Sequence, residues 1–126
     1  MSLSYENILE VVEAFYAKAT TDVMIGYHFR HIEDFNTHFP RIAAFWDIQL
    51  NGKTTRPVMK PFDLIGVHKP LKIKIGEVGR WVVLFEQTLS EFRQRDGHHK
   101  VEYINWRTKI HYFRDVFLTH PTLFSN

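Results

Sequence analysis

Four stretches of this sequence place their apolar residues three and four positions apart, a spacing that restricts the chain to helices each packed by one face. In the first, from Tyr5 to Ala19, the residues Ile8, Leu9, Val12, Phe15, Tyr16 and Ala19 share a face, and Ser4 stands where a side-chain oxygen caps a helix start. Asp22 to Arg30 reads as a turn and a short helix around Gly26. The second long stretch opens after Asp34, a cap, and carries Phe35, His38, Phe39, Ile42, Phe45, Trp46 and Gln49 toward Leu50. Pro40 falls within its first turn or two, where a missing N–H costs least. The third presents Val78, Trp81, Val82, Phe85, Leu89 and Phe92 and stops at Asp96-Gly97. The last begins near His99 or Lys100 and runs through Ile104, Trp106, Ile110, Phe113 and Phe117 to a break at Pro121.

Between Asn51-Gly52 and Gly76 the period fails, because Pro57, Pro61, Gly66 and Pro70 interrupt each possible helix and leave room for one short turn near Phe62 to Val67. An irregular stretch of about two dozen residues is uncommon in a small domain, and where one occurs it usually carries function. The alternation Lys72-Ile73-Lys74-Ile75 suits a strand, but no second strand exists to pair with it. With no internal repeat, the 126 residues read as a single all-α domain, 1–126, of four main helices, short ones and one irregular loop.

Composition narrows the function. Hydrophobic residues make up 44% and eleven are Phe, enough to close one core and incompatible with disorder. A net charge of +2, with Lys and Arg scattered, argues against a nucleic-acid surface. The absence of cysteine excludes disulfides, thiolate nucleophiles, Cys-ligated zinc and iron–sulfur clusters, so any metal ligand is a histidine or a carboxylate. The N-terminus has no basic-then-apolar leader and no apolar run spans a bilayer, so the expectation is a cytoplasmic protein without a membrane partner.

Eight histidines raise the question of a metal. His98-His99 sits in a helix connection and reads as two solvated loop residues. His28 and His31 can share a helical face, yet zinc needs three or four ligands and no Glu or Asp nearby completes an HExxH-like set. His38 and His68 differ from these: the first lies on an aromatic-rich helix, the second in the broken loop. Taken singly, each reads as structural. Together with the surrounding rings they meet the needs of haem, namely one axial histidine, a polar group on the opposite face and aromatic walls.

The residues Glu13-Ala14-Phe15-Tyr16, then Gly26 and Phe29, then His38-Phe39-Pro40-Arg41-Ile42-Ala43-Ala44-Phe45-Trp46 resemble, in order and spacing, the front half of a group III truncated globin. After the loop, Val67-His68-Lys69-Pro70-Leu71 resembles that family's proximal-histidine segment, and Arg80-Trp81-Val82-Val83-Leu84-Phe85-Glu86-Gln87-Thr88-Leu89 its following helix. The resemblance covers most of residues 8–90. It implies a globin-like fold, a truncated two-over-two helical sandwich around haem b. In that fold His68 would ligate the iron, and Tyr16, His38 and Trp81 would face the distal pocket. His38 would act there as a donor, as a steric gate or as a second axial ligand. Arg41 is spaced to pair with a haem propionate. Phe29, Phe39, Phe45, Trp46 and Phe85, with Phe15, would form walls and core. The implied activity is binding of O2, CO or NO in a bacterial cytoplasm, with NO or peroxide redox chemistry if an unidentified reductase supplies electrons. Two other readings are a haem-free globin-fold binding or sensory module and a hydrolytic or metal enzyme. The latter lacks an arranged nucleophile–base pair.

Overall fold

The computed structural model describes residues 3–29, 35–52 and 75–119, and the regular structure among them is entirely helical. Helix α1 spans Tyr5–Ala19 and starts where expected: the Ser4 hydroxyl accepts the Asn7 N–H at 3.1 Å while the Asn7 side chain accepts the Ser4 N–H at 3.3 Å. This is a reciprocal cap, closed here by Asn rather than Glu or Gln. The chain then folds back tightly. A Cβ on Gly26 would stand 2.8 Å from the Thr20 carbonyl oxygen, so only glycine fits between α1 and the 3-10 turn Gly26–Phe29.

Helix α2, Phe35–Asn51, holds Pro40 in its second turn, deleting the bond that residue 40 would donate to the carbonyl of residue 36. The Tyr5 hydroxyl donates to the Pro40 carbonyl at 3.4 Å, tying the proline turn to the start of α1. At the other end Gly52 takes φ +81° and its N–H reaches the Ile48 carbonyl at 2.9 Å, the left-handed stop that Asn51-Gly52 announces. Asn51 donates to both Asp47 (2.7 Å) and the Leu3 carbonyl (3.0 Å), which satisfies a buried carboxylate and pins the N-terminal strap.

Helices α3, Ile75–Arg95, and α4, Lys100–Leu118, form a hairpin joined by the 3-10 turn Gly97–His99. The stop falls where Asp96-Gly97 predicts it, but without a left-handed glycine. Gly97 keeps an ordinary φ, and the Asp96 carboxylate accepts from the Tyr103 hydroxyl at 3.1 Å and from Arg95 at 3.2 Å. The histidine pair there is divided: His98 is exposed, as expected, whereas His99 is buried beneath the first turn of α4. Ile75 and Gly76 also belong to α3 rather than to the preceding break.

Helix α1 packs on both α2 and α3, α3 packs on α4, and α2 touches α4. Covered from two sides, α1 buries Val11 as fully as Ile8, although Val11 lies off the stripe read from the sequence. Trp46 lies at the centre of the core, with ring centroids 5.7 Å from Phe85, 5.6 Å from Trp106 and 5.5 Å from Phe113. Burying each such ring contributes about 1.5–3 kcal/mol or more from apolar area alone. No helix among the described residues is long and apolar enough to cross a membrane. The expected caps and breaks at Asp34 and Pro121, the turn near Phe62 to Val67 and the alternating run at Lys72 to Lys74 lie outside the described residues.

Candidate functional site

The last full turn of α1 brings Tyr16 toward the 3-10 turn on one side and the first turns of α2 on the other. Its ring meets Phe29 edge-on at 5.2 Å, His38 at 5.9 Å with the two planes at 90°, and Phe39 at 5.3 Å. Phe15 closes the group at 5.4 Å. Such edge-to-face pairs set the positive rim of one ring against the negative face of the next. Burial pushes the Tyr16 phenol well above the ordinary tyrosine value, because the phenolate would lose its hydration among these rings. Tyr16 is therefore a neutral O–H donor at physiological pH.

Four of the expected site residues, Tyr16, Phe29, His38 and Phe39, thus converge in one cluster. Trp81 does not touch it directly. Its ring packs on Phe85 at 5.9 Å and on Phe117 at 6.0 Å, and Phe85 in turn lies 4.6 Å from Phe15, so Trp81 and Tyr16 stand at the two ends of one aromatic run. Trp46 and Phe85 are core residues, and Phe45 bridges Trp46 (5.2 Å) and Phe113 (5.5 Å). Arg41 is exposed on α2, one turn beyond His38. His68 and His31 lie outside the described residues.

Beside this cluster is a polar group that periodicity does not reveal. Glu77, in the first turn of α3, is buried, and its carboxylate accepts from the Tyr27 hydroxyl while its other oxygen meets His28 Nε2 at 3.0 Å. One turn further along, Arg80 donates twice to a single oxygen of Asp22, at 2.9 and 2.7 Å. The other Asp22 oxygen accepts the backbone N–H groups of Met24 (3.0 Å) and Ile25 (3.2 Å). The Arg80 guanidinium holds the Asp22 carboxyl below the usual carboxylate range. The available sequence signal was Glu77 itself, four residues before Trp81 and so on the same inward face, where an unpaired carboxylate would be costly.

A third cluster joins α3 to α4: Glu86 meets His111 at 2.6 Å and Arg107 at 3.2 Å. Burial alone would raise the Glu86 carboxyl, but the hydrogen bond from His111 and the charge of Arg107 outweigh it and leave it low. Next to it lies a cavity of about 170 Å³, lined by Leu89, Ser90, Arg93, Tyr103 and Ile104 as well as by Glu86 and Arg107. It is separate from the Tyr16 cluster.

Comparison with protein-family models, with curated proteins and with solved structures finds no match to this chain.

Proposed function

We propose that this chain is a haem b protein of truncated globin-like architecture whose site binds a diatomic ligand, O2, CO or NO. The observation that carries the reading is the convergence of Tyr16 and His38, a neutral phenol and an imidazole with perpendicular rings, between the phenyl walls of Phe29 and Phe39. That donor set suits the distal side of a haem pocket: one or two hydrogen-bonding groups in surroundings that are otherwise apolar and flat. The helix contacts are compatible with a two-over-two sandwich, with α1 packed on α2, α3 on α4 and α1 on α3.

When bound, haem b would supply an iron able to take up the diatomic molecule. His68 would hold the iron, Arg41 would pair with a propionate, and Phe29 and Phe39 would exclude water from the distal face. Tyr16 is protonated at neutral pH and would turn its hydroxyl toward a polar ligand atom, and burial disfavours its phenolate further. His38, edge-on to Tyr16, limits how far the phenol can swing. Trp81, at the far end of the aromatic run, offers an indole N–H as a second donor. Redox turnover of NO or peroxide at the same site would draw electrons from a reductase.

The role assigned to Tyr16 is tested by ligand release from the haem-loaded ferrous protein. Removing the hydroxyl in Tyr16→Phe should speed O2 release at least roughly tenfold, the equivalent of about 1.4 kcal/mol, and change CO release far less, because CO carries little charge to stabilise. Equal rates for O2 in the variant and the parent would remove Tyr16 from the site.

A further inference from the structure

Asp22, Tyr27 and His28 lie on the turn between α1 and α2, whereas Glu77 and Arg80 lie on the first two turns of α3. The same helix therefore grips this stretch twice: Arg80 holds Asp22 near its start, and Glu77 holds Tyr27 and His28 near the end of its described part. At the far end the His28 and Glu77 side chains are only 8% and 7% exposed, while Tyr27 remains 40% exposed. A carboxylate taken out of water is expensive unless its oxygens are satisfied, and here each oxygen has a partner from the turn. Apolar side chains would fill the same volume more cheaply. A carboxylate bonded to two side chains at once fixes their direction as well as their distance, and apolar packing does not.

The position of this grip gives it a consequence. Phe29 follows His28 directly and rests on Tyr16 at 5.2 Å, so the turn that Glu77 holds is the turn that walls Tyr16. Trp81 lies one helical turn beyond Glu77 and next to Arg80, so the element doing the holding also carries the second donor. We infer that Glu77, with His28 and Tyr27, is a positioning residue that couples the wall of the Tyr16 cluster to the placement of Trp81 on α3. The inference rests on the reading of Tyr16 and Trp81 as two donors of one site. It adds that their relative placement is set by a buried carboxylate bonded to Tyr27 and His28.

The test uses the haem-free chain with labelled tyrosine and tryptophan, observed by NMR. The Tyr16 ring lies close to the rings of Phe29 and Phe39, and Trp81 close to Phe85 and Phe117, so ring currents should make both sets of signals sensitive to small movements of these neighbours. In Glu77→Ala both sets should shift beyond the wild-type line width. In Glu77→Gln, which keeps an acceptor for Tyr27 and a polar partner for His28, they should return toward the wild-type positions. Glu86→Ala, which cuts the separate link from α3 to His111 and Arg107, should leave them in place. If Glu77→Ala does not fold, Tyr27→Phe removes one hydrogen bond and keeps the ring, and should give a smaller shift in the same signals.

Signals that stay at their wild-type positions in the Glu77 or Tyr27 variants, whatever happens to the melting temperature, would overturn the inference. So would equal shifts in Glu86→Ala, since any loss of stability would then move them. Failure of the wild type to take up haem would sink the reading of the site and leave the measured coupling standing, so the two failures can be told apart.

Discussion

Tyr16 shows how a side chain on a helical stripe becomes a chemical group. Read along α1 it is one more aromatic on the packed face, beside Phe15. In three dimensions its neighbours Phe29, His38 and Phe39 come from two other segments, and their combined effect is to keep the phenol protonated far into alkali. Tyr103, buried under α3 and donating to Asp96, is raised in the same direction, first by burial and then by the carboxylate. The linkage has a definite sign. Below about pH 10 both folded and unfolded chains hold these protons, and stability does not depend on them; above it the unfolded chain releases protons that the folded chain retains, and stability falls. Tyr16→Phe should therefore flatten the loss of stability between about pH 10 and 11, measured as the urea midpoint against pH, relative to the parent. An unchanged alkaline slope would mean that the Tyr16 phenol is solvated.

At the level of elements, the start of α1 is the clearest link between local sequence and structure. Ser4 and Asn7 satisfy two donors that would otherwise be open to water, and Ser4→Ala should cost about 1 kcal/mol, read as a lower urea midpoint with an unchanged slope. No measurable loss would show that the packing of Tyr5 and Leu3 alone fixes that end. Periodicity located α1 to within a residue. It also found the end of α2 at Asn51-Gly52 and the hairpin of α3 and α4, because each depends on neighbours within one or two turns. What it missed depends on partners far along the chain. Val11 is buried because two helices, rather than one, cover α1. His99 is buried because the turn after Asp96 is drawn under α4 by Tyr103. The Asp22–Arg80 and Glu77 contacts join residues about fifty or more positions apart, which no local pattern records. Of the residues singled out in the sequence, Tyr16, Phe29, His38 and Phe39 are brought together by the fold, while Trp81 lies beyond Phe85 and Phe15.

The described residues share one continuous core that includes Trp46, Phe85 and Trp106, with a polar clasp and an aromatic cluster beside it. Trp106 is wholly buried, its indole nitrogen has no hydrogen-bond partner among the described residues, and its ring packs on Trp46 at 5.6 Å and on Phe85 at 5.6 Å. In the haem reading this core is a rigid support on which α1, the turn and α2 present Tyr16, Phe29 and His38. The chemistry then depends on one residue of the intervening segment, His68. The most direct measurement is an absorption titration of the purified chain with haemin, followed by reduction and exposure to CO, in parallel with His68→Ala. Uptake should saturate at one equivalent and give a sharp Soret band and a globin-like ferrous–CO spectrum, all lost or displaced in the variant. No stoichiometric uptake by the parent, or a variant indistinguishable from it, would contradict the account and leave a haem-free helical binding module as the better description.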